Sequence, residues 1–244
     1  VIGEIYKKLK IKIFDLPPRQ WLEIINAAIN NLTEKNLLLY LTDSQLESIA
    51  VQNGWAGEIK NYYGDYLMVV DANLAALKTD VVMNRSLNYK VSEVAGGLVA
   101  KLTIHYAHNG RPDWKTSAYK SYTRIYAPLG SQLIKISGYE PKEIDTGHEV
   151  GKTWFGFYLT VESGKINSLT VEYKLPPSIR LNNNYGLYIQ KQPGKELDHL
   201  TVDLSWQNAI KSYSPANLSI QKIGPKRVKW EGDLNIDRSF NVNF

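Results

Sequence analysis

The run Leu98-Val99-Ala100-Lys101-Leu102-Thr103-Ile104-His105-Tyr106 decides the fold. Leu98, Ala100, Leu102, Ile104 and Tyr106 alternate with Val99, Lys101, Thr103 and His105. A period of two with one polar face marks a strand half-buried in an antiparallel sheet. The pattern returns at Leu169, Val171 and Tyr173, at Leu200, Val202, Leu204 and Trp206, and at Phe240, Val242 and Phe244. Turn signals separate these runs: Asn109-Gly110, Gly138, Ser163-Gly164, Pro176-Pro177 and Pro193-Gly194. Gly96-Gly97 reads as the turn of a hairpin. Strands at this spacing predict an antiparallel β-sandwich over residues 83–244.

Outward from that run, residues 1–82 change character. Trp21, Leu22, Ile24, Ile25, Ala28, Ile29 and Leu32 fall on one helical stripe, with Pro17 and Pro18 at its first turn and Asp15 as a cap. Lys35 to Leu41 is a short apolar run that reads as a buried strand, and Tyr66 to Val70 reads as a second. Between them Ser44 and Glu47 have the spacing of a capping box, and Gly54 is placed to stop the helix in the left-handed conformation. The expected class is therefore α+β. A helix-rich α/β remnant, residues 1–82, packs on the sandwich.

Composition excludes several functions. There is no cysteine, which removes a disulfide scaffold, a thiolate zinc site and a thiol nucleophile. No stretch approaches the roughly 18 apolar residues of a membrane span. Residues 1–80 carry 8 Lys/Arg against 10 Asp/Glu, and the remainder carries 21 against 14. That positive balance suits anionic polymers, but no basic run is dense enough for a nucleic-acid arm. With no phosphate loop and no dinucleotide fingerprint, no cofactor is expected. Four histidines show no ligand spacing, so no metal is expected either: His105 and His108, three apart in a strand, face opposite ways.

Two groups of residues are candidates for chemistry. Asp71, Asn73, Lys78 and Asp80 follow a buried strand, a favoured place for ligand contact. Asp71 and Asn73 equally suit an Asx-turn or a helix cap. Trp114, Tyr119, Tyr122 and Tyr126 lie among Arg111, Lys115, Lys120 and Arg124, a mixture that, when exposed, can stack on sugar rings or bases. Within it Tyr122, Arg124 and Tyr126 share one strand face, and Thr123, Ile125 and Ala127 share the other.

Several strings, in order, carry a resemblance. They are Lys35-Asn36-Leu37-Leu38-Leu39-Tyr40-Leu41-Thr42-Asp43, Asn53-Gly54-Trp55-Ala56-Gly57, and Val70-Asp71-Ala72-Asn73 with Lys78-Thr79-Asp80. Further on come Tyr122-Thr123-Arg124-Ile125-Tyr126-Ala127-Pro128-Leu129-Gly130-Ser131, Gly151-Lys152-Thr153-Trp154-Phe155 and Ile189-Gln190-Lys191-Gln192-Pro193-Gly194. Over residues 30–210 the chain resembles the C-terminal portion of a bacterial domain-of-unknown-function family, number 4012. Leu74-Ala75-Ala76-Leu77 departs from it, since members often carry glycines there. The resemblance implies an extracytoplasmic body, a membrane anchor absent from this chain, and an association with surface polysaccharide. A first residue that is valine fits such a piece.

The expected function is a non-catalytic extracytoplasmic module of a bacterial cell-envelope protein. Its partners would be envelope polysaccharide or another envelope protein, not nucleic acid. One alternative is a phosphotransferase or hydrolase of lipid-linked envelope glycans using Asp71, Asn73, Lys78 and Asp80. The other is a carbohydrate-binding module using Trp114 and Tyr119.

Overall fold

The computed structural model describes all residues except 76, 180–182 and 217, and among the described residues fourteen strands and three α-helices make it α+β and mostly β. Ala76, within the string that departs from the family, thus lies outside the described residues. Two compact units divide between Glu58 and Ile59.

The first unit, among its described residues, is helical: α1 (Ile2–Phe14), α2 (Pro18–Thr33) and α3 (Ser44–Gln52). Pro17 and Pro18 open α2 as expected, but Asp15 closes α1 instead of capping α2. α1 buries no residue and α2 buries only Leu32. Lys35 to Leu41 does not form a strand. A strand needs a neighbour to bond, and here Leu39 N–H reaches only the Trp55 carbonyl at 2.9 Å, while Leu41 N–H donates to Glu47 at 2.7 Å. With Glu47 so engaged, Asp43 caps α3 in place of Ser44, its Oδ1 accepting from Gln45 and Leu46 N–H at 3.0 Å each. Gly54 takes the left-handed φ of 74° that ends the helix. No helix among the described residues is long and apolar enough to cross a membrane.

The second unit holds β1 (Asp65–Asn73), β2 (Met83–Val94), β3 (Gly97–His108), β4 (Tyr119–Pro128), β5 (Gln132–Gly138), β6 (Asp145–Glu149) and β7 (Lys152–Val161). β8 (Ile166–Lys174), β9 (Asn184–Gln190), β10 (His199–Ser205), β11 (Ser212–Ser214), β12 (Ser219–Lys222), β13 (Arg227–Asp233) and β14 (Arg238–Asn243) complete it. They form two seven-stranded sheets, ordered β11-β14-β9-β1-β4-β7-β6 and β12-β13-β10-β2-β3-β8-β5.

Neither sheet is purely antiparallel, which corrects the expectation. β1 pairs parallel with β9, and β10 pairs parallel with β2. Such pairs join segments far apart in sequence, which local alternation cannot reveal. The expected boundary at residue 82 also moves. β1 is bonded on both sides, by β4 and β9, so it belongs with the strands and not with the helices.

Strand phase follows the alternation. Ala100, Leu102, Ile104, Tyr106, Val202 and Leu204 are fully buried, in one cluster with Leu67, Val69, Ile125 and Phe157 from the other sheet. Both sheets therefore bury one face in a common core. Gly96, at φ 98°, forms the two-residue turn between β2 and β3, where Val94 pairs with Gly97.

Candidate functional site

β1 passes through the middle of its sheet and alternates Asp65, Leu67, Val69 and Asp71 toward the core. Two carboxylates on an apolar face need partners. Asp71 finds Arg85 of β2, whose Nη1 donates to Oδ2 at 2.7 Å. Tyr106 and Thr123 hydroxyls donate to Oδ1 at 2.8 and 2.7 Å. Arg85 is also bidentate to Asp198, Nε to Oδ1 at 2.9 Å and Nη2 to Oδ2 at 2.6 Å. Burial alone would push the guanidinium down, but Asp198 and Asp71 outweigh it and hold it above its ordinary range. Asp71 is thus a buried partner of an arginine, with two hydroxyl donors beside it.

Asn73 ends β1 and shapes the turn that follows. Its Oδ1 accepts from Ala75 N–H at 3.0 Å, and its Nδ2 donates to the Leu77 carbonyl at 3.0 Å and to Asp80 at 2.7 Å. This is the Asx-turn reading of the sequence. The turn is stitched to the loop between β3 and β4 by Lys78 N–H to the Lys115 carbonyl at 2.9 Å and Asn109 N–H to the Val82 carbonyl at 2.9 Å.

The stitched pair of loops borders an open pocket of about 480 Å³ lined by Lys78, Arg111, Asp113, Trp114 and Lys115 together with Val81 and Val82. Asp113 is committed to its own loop: Oδ1 accepts from Lys115 and Thr116 N–H at 2.7 Å each. Those two backbone donors hold its carboxyl below the usual range. Trp114 is 82% exposed, with the Lys115 ammonium 4.7 Å from its ring centroid. Lys78, Arg111, Lys115 and the exposed indole thus share this lining with a single carboxylate, Asp113. Such a lining suits a ligand with an anionic group and a flat apolar face.

A second cavity, about 610 Å³, is lined by Asp80, Arg85, His105, Lys195, Glu196 and His199 among others. Burial first, and then Arg85, push the Lys195 amine down, against Asp71, Asp198 and Asp80. Among the described residues no group of three or more His, Asp or Glu is placed to hold a metal ion.

No protein-family model matches the chain, and no curated protein matches it in sequence. Among solved structures it is similar to a candidate nutrient-binding protein from Legionella pneumophila, with 8% identity and a TM-score of 0.48 over 74% of this chain and 71% of that one. It is also similar to leukotriene A4 hydrolase from Saccharomyces cerevisiae, with 6% identity and a TM-score of 0.41 over 70% of this chain and 31% of the hydrolase. A third is an M1 zinc metallopeptidase from Deinococcus radiodurans, with 11% identity and a TM-score of 0.35 over 66% of this chain and 42% of the peptidase. The chain spans less than half the length of each of the latter two. No function passes to it from likenesses this distant.

The candidate residues divide as follows. Lys78 and Trp114 line the smaller cavity together. Asp80 lines the larger one, and Asn73 holds it by the turn. Asp71, Asn73, Lys78 and Asp80 are therefore not gathered in one pocket. Tyr119 is fully buried and packs against Tyr106 at 6.5 Å between ring centroids, which corrects its expected role beside Trp114. The physical reason is parity, because Tyr119 shares the inward phase of Thr123, Ile125 and Ala127. Arg85 and Asp198 were missed. Their signal was an arginine in phase with Met83, Leu87, Tyr89 and Val91, an apolar face where a cation needs a buried counter-charge.

Proposed function

We propose that the chain is an extracytoplasmic module of a bacterial cell-envelope protein that holds an acidic envelope polymer in the basic cavity beside Trp114. In this reading the two sheets form a β-sandwich, whose loops at one end carry the cavity. The resemblance to family 4012 supports the envelope setting. One observation carries the rest: Lys78, Arg111 and Lys115 line one cavity with an 82% exposed Trp114. Opposed backbone hydrogen bonds fix the two loops that present them, so little ordering is needed on binding. A phosphate or carboxylate on the polymer meets the cations, and a sugar ring lies on the indole.

Titration calorimetry with polygalacturonate, a polymer of an acidic sugar, tests this. Wild-type chain should bind it, more weakly as salt rises, because exposed charges are screened. Lys78→Glu combined with Arg111→Glu and Lys115→Glu should abolish the heat, and Trp114→Ala should weaken binding about tenfold. Equal binding by the triple variant, or equal binding of an uncharged glucan at this site, would overturn the reading.

A further inference from the structure

The larger pocket, about 610 Å³, takes no part in the polymer reading, yet it presents an unpaired amine on a fixed backbone. Lys195 lies on the connection from β9 to β10, which is held at several points. The Gln192 side chain bonds the Asp71 backbone twice, accepting from its N–H at 3.0 Å and donating to its carbonyl at 2.9 Å. Lys191, itself fully buried, donates to the Lys195 carbonyl. Asp198 is gripped by Arg85 at 2.6 Å, and its carbonyl accepts from Leu234 N–H at 2.8 Å. A side chain carried on so constrained a segment reaches the pocket with little freedom to lose.

Among the described residues the Lys195 amine has no hydrogen bond and no ion pair, although Asp80 and Glu196 line the same pocket. Asp71 on β1, Asp80 in the turn after it, Arg85 on β2 and Asp198 ahead of β10 all act on its charge. Burial and then Arg85 hold the amine below its ordinary range, against the three carboxylates. A desolvated lysine beside a cation is the arrangement that leaves an amine unprotonated and nucleophilic. His105 and His199 also line the pocket, and His199 lies 3.4 Å from Glu231 and 3.6 Å from Asp233. Four carboxylates at 71, 80, 196 and 198 thus surround the cations Arg85, Lys191 and Lys195, with two more behind His199. Such surroundings repel an anionic ligand.

We infer that the larger pocket captures a small uncharged aldehyde as an imine on Lys195. The amine lone pair attacks the carbonyl carbon, and the displaced π pair goes to the oxygen, which takes a proton. The carbinolamine then releases that oxygen as water while the nitrogen gives up its proton, leaving a C=N bond. Amine and aldehyde become imine and water, with nothing oxidised or reduced. Asp80 is placed to move the proton. One of its oxygens takes the Asn73 amide at 2.7 Å, and the other has no bond among the described residues.

The test is labelling of the full chain at pH 7 with glyceraldehyde and cyanoborohydride, which adds hydride to the imine carbon and fixes it as a secondary amine. Peptide mass spectrometry reads each lysine. An ordinary lysine has only roughly one amine in 2,500 unprotonated at this pH. Lys195 should label at least about tenfold faster than the exposed Lys101 and Lys120, and its rate should saturate with aldehyde while theirs rise linearly. Asp80→Asn should lower the limiting rate several-fold at unchanged half-saturation. Glyoxylate, an anionic aldehyde, should lose the preference for Lys195 over Lys101. Labelling of Lys195 no faster than of Lys101, a rate linear in aldehyde, an unaffected Asp80→Asn, or an equal preference with glyoxylate would overturn the capture site. The basic cavity is read separately with polygalacturonate, so either site can fail without the other.

Discussion

The Arg85 guanidinium on β2 lies 2.7 Å from the Asp71 carboxylate on β1, a salt bridge joining the two sheets where side chains are only 1% and 2% exposed. Asp198, ahead of β10, holds the other edge of the same guanidinium at 2.6 Å. Desolvation makes such a cluster a modest net stabiliser, but losing one member strands the others. Asp71→Ala and Arg85→Ala should each cost about 3–5 kcal/mol in urea unfolding. The double variant should cost less than the sum, because the two share one interaction. Losses below about 1 kcal/mol for both would mean that water reaches the pair.

Asp65 is the second buried carboxylate of β1. Burial lifts it to about 6, although Tyr185, Tyr89 and the Tyr66 N–H all donate to it. Below about pH 4 the folded and unfolded chains both hold this proton. From there to about pH 6 only the folded chain keeps it, so this contribution to stability fades as pH rises through the window. Two pH units of difference correspond to about 3 kcal/mol. The stability of Asp65→Asn relative to wild type should therefore rise by about that amount between pH 4 and pH 7 in urea unfolding. A difference that stays flat, or falls, would contradict a raised Asp65.

Tyr119 is fully buried, and burial holds its hydroxyl above the ordinary phenol range, against a lowering contribution from the Ser121 side chain. Tyr119→Phe removes one buried hydroxyl at nearly constant shape, so stability should fall by no more than about 1.5 kcal/mol. Tyr119→Ala should cost about 3–5 kcal/mol by opening a cavity. Binding of polygalacturonate by Tyr119→Phe should equal wild type. A selective loss there would return Tyr119 to the site.

Leu102 and Leu204 are fully buried. Each change to Ala should cost about 2–5 kcal/mol in thermal or urea unfolding. Wild-type stability in both would mean the opposite strand phase.

Much of the second unit was legible because alternation is local. Leu98 to Tyr106 and Leu200 to Leu204 state their own inward face, and Gly96 states its turn. Pairing was not legible: nothing near Tyr66 says that it lies beside Tyr188 in a parallel register. Lys35 to Leu41 misled because a short apolar run fits a strand or a loop until a neighbour is known. For the candidate site, the sequence brought Lys78 and Trp114 forward but could not pair them. That pairing depends on Lys78 N–H meeting the Lys115 carbonyl across two loops. Tyr119 shares its phase with Ile125, so parity along β4 turns it inward, whereas its place among aromatic and basic residues along the chain points outward.

The central claim is that the Trp114 cavity takes an acidic polymer, and indole resonances test it most directly. In a titration of the labelled chain with polygalacturonate, the Trp114 indole should shift together with the amides of residues 110–116 and 78–82. Trp230, buried with its indole N–H on the Pro215 carbonyl at 3.0 Å, should stay fixed. A Trp114 resonance that does not move while the polymer binds, or movement confined to residues lining the larger cavity, would contradict the account.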